Sequence, residues 1–237
     1  MIPSFKEGDR VVDLPLWLTH YLPPIPLLIE AATLPFGKTV HNPIFKGEFG
    51  FWEIGTVLLC LAGFFTSLAI AFGKGARIDR PAKLFLLIVG LGCLYLAGEE
   101  ASWGQHIFRW EAPEAWQKVN YQAETNVHNL WDIPFTNVIP RFLLTLGVFV
   151  GGLWGPFRMH RRGLNPKGRA YWLWPTIACM VTAFFVLVPP IPKKLGLPSL
   201  PEPGETEEFY MALFLALYLG SILVRRRSLG NEVSSTA

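Results

Sequence analysis

Long apolar runs alternate with short polar segments along this chain. Four runs, at residues 50–72, 84–104, 135–157 and 170–188, reach the roughly 20 helical residues needed to cross the hydrocarbon core of a bilayer. A fifth run, at 209–224, is shorter, but glutamates precede it and arginines follow it, which indicates a water boundary at each end. The pattern predicts an all-α integral membrane fold, a bundle of about five transmembrane helices.

The N-terminal segment, residues 1–49, follows a different pattern. Its apolar stretch at 14–36 contains several prolines, which would remove helix hydrogen bonds inside lipid, where no water replaces them. These are Pro15, Pro23, Pro24, Pro26 and Pro35. We therefore predict that the segment is interfacial or re-entrant, and a sixth, broken span is the alternative.

Basic residues are concentrated in three segments, and their distribution predicts the orientation. Residues 73–83 carry four basic side chains against one acid, residues 158–169 carry five against none, and residues 225–227 are three arginines. By the positive-inside rule all three segments are cytoplasmic. Residues 226–237 would then form a cytoplasmic tail.

The two remaining connections are predicted to face outward. They are the long polar loop at 105–134 and a proline-rich loop at 189–208 that contains four glutamates. Acids are allowed there, because the rule concerns Lys and Arg. Five spans place the N-terminus outside, whereas a sixth span would place it inside.

The composition supports a membrane location but also requires polar segments outside the hydrocarbon. Of the 237 residues, 51% are hydrophobic and 16% charged, against roughly a quarter charged in soluble domains. The mean hydropathy of +0.33 is modest for a membrane protein. The net charge of +3 is spread over several loops instead of one basic stripe, so we expect no nucleic-acid partner.

Small residues mark one face of the third span. Gly147, Gly151 and Gly155 recur at intervals of four, which aligns them on a helix and lets another backbone approach closely. This face is predicted to pack against another helix, within the chain or in a partner. Both alternatives remain open on the sequence, and the bilayer itself is the other expected partner.

Two adjacent carboxyl groups end the second span. Glu99 and Glu100 are costly in lipid and therefore need partners or a wet cavity. On a helix, Glu99, Trp103 and His106 share roughly one face, while Glu100 is turned by about 100°. The two carboxylates are thus expected to have different surroundings.

A second polar stretch, residues 120–129, follows in the outer loop. As a helix it would place Asn120, Glu124 and His128 on one stripe. As an extended segment it would place Asn120, Gln122, Glu124, Asn126 and His128 on one face. In either geometry Glu124 and His128 point the same way.

These two elements predict a polar site. The candidate catalytic residues are Glu99, Glu100, Glu124 and His128, and the candidate metal ligands are Glu100, Glu124 and His128, a set suited to a divalent metal. The same groups could act as acid and base without metal. The neighbouring polar side chains are Gln105, His106, Asn120, Gln122, Asn126 and Asn129.

The sequence also leaves a structural interpretation open. Neither the His-Glu-x-x-His motif nor the Glu-x-x-His spacing of di-iron bundles occurs near these residues. Glu99 and Glu100 could instead pair with Arg109, Arg141 or the loop amides and hold helix ends together. The remaining histidines, His20, His41 and His160, are expected at the surface or the membrane interface.

The two motifs together resemble a family of uncharacterised prokaryotic multi-pass membrane proteins. They read E-E-x-S-W-G-Q-x-I-F from Glu99 and N-x-Q-x-E-x-N-x-H-N-L from Asn120, in the same order. In that family the position of His106 often carries arginine, which favours Glu99, Glu100, Gln105, Glu124, Asn126 and His128 as the site residues.

The resemblance implies a prokaryotic multi-pass membrane protein, and the charge distribution predicts that the polar site faces outward from a prokaryotic cytoplasmic (inner) membrane. The leading functional hypothesis is metal-assisted chemistry on a lipid-linked or envelope substrate. The alternatives are a structural or accessory subunit of a membrane complex and an ion or proton pathway. The third is the weakest, because the interior of the third and fourth spans contains almost no acids.

Overall fold

The computed structural model describes residues 12–47, 49–120, 122–127, 130, 138–157, 168–197 and 203–235. Over these residues the chain is helical and contains no β-strand. Its α-helices are α1 (Ile25–Thr33), α2 (Lys38–Phe45), α3 (Phe51–Phe72), α4 (Arg80–Glu100), α5 (Gln105–Phe108), α6 (Glu114–Gln117), α7 (Val138–Val148), α8 (Arg169–Leu173), α9 (Met180–Leu187), α10 (Ile191–Lys194) and α11 (Pro203–Ser235). Two π-helical turns (Trp17–Tyr21 and Phe149–Trp154) and three 3₁₀ turns (Leu34–Phe36, Ser102–Gly104 and Ile177–Cys179) complete the helical elements.

Five helical runs are long and apolar enough to cross a membrane. They are Phe51–Phe72, Arg80–Glu100, Ile139–Phe157, Arg169–Lys193 and Pro203–Asn231. This confirms the predicted all-α bundle of about five helices, and such a set is what a multi-pass membrane protein requires.

The third and fourth runs are irregular helices. In the third, α7 continues into the π-helical turn Phe149–Trp154. In the fourth, α8 ends before Pro175 and the helix resumes at Ile177–Cys179, because proline disfavours helical geometry at the preceding residue and has no backbone N–H. The fourth span therefore carries backbone carbonyls that need other donors at its break.

Helix α11 is the centre of the bundle. In its most apolar stretch 67% of the residues are buried, against 33% in α3 and 28% in α4. It packs against α3 on one side and α9 on the other, while α4 packs on α3 and α7 lies against α9. Cys60, Cys93 and Cys179 are fully buried and unbridged, in keeping with their positions inside apolar runs.

The glycine face of the third span packs partly within the chain. A methyl group at Gly151 would lie 3.3 Å from the ring of Pro175, and one at Gly155 would lie 2.6 Å from the ring of Trp174. At Gly147 it would meet nothing within 4 Å among the described residues. Gly151 and Gly155 thus leave room for the broken fourth span. A partner at Gly147 stays a prediction.

The N-terminal segment runs along α11 through the depth of the bundle. Leu14 packs at Gly220, and the Tyr210 hydroxyl donates to the carbonyl of Pro23 at 2.6 Å. Gly220 and Tyr210 are ten residues apart, or about 15 Å along a helix. This course fits a re-entrant segment or a broken span better than a segment lying in one interface.

The arginines after the fifth span, which the sequence analysis interpreted as a water boundary, are enclosed by other helix ends, and the helix does not stop at them. Arg225 and Arg226 are 0% and 9% exposed, and α11 continues through them to Ser235. Residues 226–235 of the predicted tail are therefore helical. The arginines are buried where they donate to backbone carbonyls at helix ends, several of which have no donor within their own helix.

Each buried arginine serves a different helix end. Arg226 donates to the carbonyls of Ala69, Gly73, Lys74 and Ala76 at the end of α3, over 2.8 to 3.3 Å. Arg225 donates to the carbonyls of Tyr171 and Trp174, where the fourth span breaks, and its guanidinium lies 5.1 Å from the Tyr171 ring centre.

Candidate functional site

Helix α4 ends in a tight turn that brings its last residues against the outer loop. Ser102, Trp103 and Gly104 have φ angles of 43°, 54° and 89°. Left-handed backbone is uncommon for serine and tryptophan and persists only where the surrounding contacts enforce it. The turn buries the Ser102 side chain at 1% exposure under the loop.

Glu99 is buried and fully engaged by this turn and loop. Its Oε1 accepts a hydrogen bond from the indole N–H of Trp103 at 2.8 Å. Its Oε2 accepts one from the backbone N–H of Val127 at 2.7 Å. Because both oxygens have protein donors, Glu99 ties the outer loop to the end of α4, as the structural interpretation of the sequence expected.

Glu124 is held in a similar way. Its Oε2 accepts hydrogen bonds from the Ser102 hydroxyl at 2.8 Å and from the Asn126 amide at 2.5 Å. Its Oε1 lies 3.4 Å from the His106 ring nitrogen Nε2. His106 therefore does belong to this cluster, although the resemblance favoured other residues.

Asn120 and residues 122–126 are neither helical nor extended, which differs from both geometries considered for this stretch. The Asn120 side chain accepts from the backbone N–H groups of Gln122 and Glu124 at 3.0 and 3.3 Å and donates to the carbonyl of Asn126 at 2.8 Å. Ala123 has a φ of 56°. The chain curls around the Asn120 amide, so the alternate residues do not share one face.

Gln105 and Thr125 complete this cluster. The Gln105 carbonyl oxygen Oε1 accepts from the Thr125 backbone N–H at 2.7 Å, and the Thr125 hydroxyl donates to the carbonyl of Ser102 at 2.7 Å. We call the cluster of Glu99, Ser102, Gln105, His106, Asn120, Glu124, Thr125 and Asn126 the loop network. His128 and Asn129 lie outside the described residues, so the pairing of Glu124 with His128 stays a prediction.

Glu100 belongs to a different group. Its carboxylate shares a region with those of Glu205 and Glu208 on α11, and one oxygen of each lies within 4.8 Å of the others. This is the only group of three acidic, histidine or cysteine side chains with such spacing among the residues the structure describes. Glu124 is not part of it, so the predicted ligands Glu100 and Glu124 are held in separate clusters.

Arg141 of α7 lies at the edge of this acidic group. Its guanidinium contacts the Glu208 carboxylate and comes within 3.9 Å of Glu207. The Arg141 side chain is 35% exposed and lines a cavity beside Glu100. The sequence analysis predicted Arg141 as a partner of Glu99 or Glu100. It did not predict that Glu205 and Glu208 approach Glu100, because the glutamates before the fifth span were interpreted only as part of an outward loop and a water boundary.

A cavity of about 70 Å³ opens beside Glu100 between α3, α4, α7 and α11. Its polar wall comprises Glu99, Glu100, Arg141 and Glu208. Its remaining wall is mostly apolar and comprises Thr56, Cys60, Tyr95, Leu96, Pro140, Leu144, Met211 and Ala212. We call the cavity, together with Glu205, the carboxylate pocket.

A second cavity, of about 180 Å³, adjoins the acidic group. It is lined by Phe45, Lys46, Gly47, Glu53 and Glu205. Glu205 thus belongs both to the acidic group and to the wall of this cavity. The link between α2 and α3 consequently forms part of the surroundings of the carboxylate pocket.

Comparison with known proteins adds no assignment. No family model matches the sequence, and no curated protein or solved structure shows significant similarity to it. The resemblance carried by the two motifs therefore stays a prediction. The function must be argued from the geometry of the pocket.

Proposed function

We propose that the protein acts on a lipid-linked substrate in the carboxylate pocket, with a divalent metal ion held by Glu100, Glu205 and Glu208. The observation that carries this proposal is the amphiphilic wall of the cavity, which is charged on one side and apolar on the other. Binding sites commonly combine a mostly apolar wall with a few convergent polar groups. An amphiphile from the membrane fits such a wall, whereas a wholly polar solute would leave its apolar side uncovered.

The charged side supplies complementary contacts for a substrate head group. Carboxylate oxygens are ligands for magnesium, manganese and zinc ions. A guanidinium binds phosphate or carboxylate groups with paired donors, and that of Arg141 borders the same space. A metal ion and Arg141 would together neutralise an anionic head group, and a carboxylate of the pocket would accept or donate the proton that hydrolysis requires.

The proposed location is the outer face of a prokaryotic cytoplasmic membrane. Helix α4 begins at Arg80, in the basic segment 73–83, and ends at Glu100 in the pocket. Its 21 residues separate the two ends by about 30 Å, the thickness of the hydrocarbon core. If the basic segment is cytoplasmic, the pocket opens on the opposite side.

The metal content of the detergent-purified protein tests the proposal. Elemental mass spectrometry should find near-stoichiometric metal in the wild type and its loss in the Glu100→Gln, Glu208→Gln double variant. The matched control is Glu111→Gln, Glu114→Gln, which removes two exposed carboxylates and should retain the metal. A wild type that holds no metal, even after incubation with manganese or zinc, would overturn the metal part of the proposal.

The substrate part is tested separately by filling the cavity. Leu144→Trp places a large ring on its apolar wall and should expel lipid-linked molecules that co-purify with the wild type, as measured by native mass spectrometry. The metal should remain, because Leu144 is not a ligand. Equal co-purified lipid in the two proteins would exclude the apolar wall as the binding surface.

A further inference from the structure

A buried carboxylate and a buried imidazole meet in the N-terminal segment, a feature that the sequence analysis missed. Glu30 of α1 is 0% exposed and His41 of α2 is 4% exposed. The His41 ring nitrogen Nε2 lies 3.3 Å from Glu30 Oε1. The same oxygen accepts from the Trp52 indole N–H of α3 at 3.4 Å. His41 was expected at the surface or the membrane interface. Its neighbours Glu30 and Trp52 are each eleven residues away along the chain, so the local sequence pattern does not reveal them.

The pair joins four elements of the fold. On α2, the other His41 ring nitrogen, Nδ1, lies 3.4 Å from the Asn42 amide oxygen. On α11, the Tyr210 phenol lies close enough to Glu30 for an electrostatic interaction, and its hydroxyl donates to Pro23. The polar groups that face the pair are therefore the Asn42 amide, the Trp52 indole and the Tyr210 phenol. Glu30 makes a further interaction in addition to these.

We propose that Glu30 and His41 form a proton-binding site that fastens α1 and α2 to the bundle and loosens them when an additional proton binds. A carboxylate and an imidazole that share one proton can form an ion pair or a neutral pair, and either carries no net charge. A second proton leaves an imidazolium beside a neutral carboxyl group. An uncompensated buried charge is costly, so the doubly protonated pair favours a hydrated, undocked arrangement.

The contact distances describe a loosely held pair. Charge-assisted N–H···O bonds are typically about 2.7–2.9 Å long. At 3.3 and 3.4 Å, both contacts of Glu30 Oε1 are longer than that. In an undocked segment, free imidazole groups take up a proton near pH 6.5 and free carboxyl groups near pH 4.3, so the second proton favours undocking only below about pH 5. Acidification is therefore the condition under which docking of α2 should weaken.

Aromatic contacts connect the pair to the carboxylate pocket. The His41 ring stacks on Phe45 with centroids 5.3 Å apart, and Phe45 lies 5.6 Å from the Trp52 ring. Phe45 also lines the second cavity, whose wall includes Glu205. Movement of α2 would thus change the surroundings of Glu205. The consequence for Glu205 rests on the proposed function, whereas the proton-binding site itself does not.

Hydrogen–deuterium exchange of the full-length protein in lipid nanodiscs tests the inference. Exchange is measured at several pH values between about pH 7.5 and about pH 3.5 and corrected for the intrinsic pH dependence of exchange. In the wild type, protection of Lys38–Phe45 should not fall between about pH 7.5 and about pH 5, and below that it should fall by at most about tenfold per pH unit for each proton bound. Protection within Arg80–Glu100 should stay constant, which separates local undocking from global unfolding.

Two variants identify the groups responsible. His41→Gln removes the imidazole and should abolish the fall in protection on acidification, because the neutral Glu30 carboxyl group then leaves no charge buried. His20→Gln, the control in the π-helical turn Trp17–Tyr21, should respond as the wild type does. Glu30→Gln removes the counter-charge of the imidazolium and should shift the loss of protection to higher pH. A flat wild-type profile, or an unchanged response in both His41→Gln and Glu30→Gln, would overturn the proposal. Metal binding at Glu100 is measured independently, so either proposal can fail alone.

Discussion

At the residue scale, the two neighbouring glutamates at the end of α4 have separate roles. Glu99 accepts hydrogen bonds from Trp103 and Val127 within the loop network. Glu100 faces the carboxylates of Glu205 and Glu208. The rotation of about 100° per helical residue explains the separation, since adjacent side chains cannot share a face. The difference predicts that conservative substitutions at the two positions will have different effects.

Glu99→Gln is expected to destabilise the protein without removing the metal. The glutamine amide nitrogen would face one of the two N–H donors and leave it without an acceptor, at a cost of about 1–3 kcal/mol. Thermal unfolding in detergent should show a lower midpoint than the wild type, while Glu111→Gln, at an exposed site, should match the wild type. A midpoint as high as that of the control would contradict the assigned role of Glu99.

The composition of the site could be predicted from the sequence only in part. The two motifs identified Glu99, Glu124, Gln105 and Asn126 as polar residues of one region, and the hydrogen bonds bring these residues together. Glu205 and Glu208 approach Glu100 from more than a hundred residues away, and such pairings depend on helix packing that local periodicity does not encode. The burial of Glu30 with His41 was missed for the same reason.

At the element scale, apolar length predicted the helices, but the flanking charges did not show that the last helix continues to Ser235. The third and fourth spans were found within a few residues of their observed bounds, since length and hydropathy decide what lipid accepts. Arg225 and Arg226 instead lie inside the bundle and bind carbonyls of other helices. The positive-inside rule concerns average position and does not predict which arginines bind helix ends.

Arg226→Lys is expected to loosen the end of α3. The planar guanidinium reaches four carbonyls, whereas an ammonium group cannot match that fixed geometry. We expect the free energy of unfolding to fall by about 1.5–3 kcal/mol, the range for hydrogen bonds to charged groups, and amide exchange after Ala69 to become faster. Arg227→Lys is the matched control, because Arg227 is the adjacent exposed arginine. Identical exchange in the two variants would show that the carbonyl contacts add no stability.

At the scale of the whole molecule, the course of the N-terminal segment decides the topology. The Thr176 hydroxyl donates to Asp13 and lies 3.4 Å from the Ser221 hydroxyl, one helical turn before Arg225. Further along, Glu30 reaches Trp52 near the start of α3. The segment thus begins near the basic end of α11 and ends near the pocket. We therefore favour the broken sixth span, with Val12 and Asn231 on one side of the membrane.

Cysteine accessibility distinguishes the two topologies. In single variants at Val12, Asn231 and Glu111, all exposed, the introduced thiol can be labelled with a membrane-impermeant maleimide, while the three native cysteines are fully buried. A broken sixth span requires Val12 and Asn231 to react from the same side and Glu111 from the opposite side. Reaction of Val12 together with Glu111 would mean that the segment enters and leaves through one interface. Labelling of Asn231 only in inverted vesicles would place the basic end in the cytoplasm and the carboxylate pocket outside, where an envelope substrate could reach it.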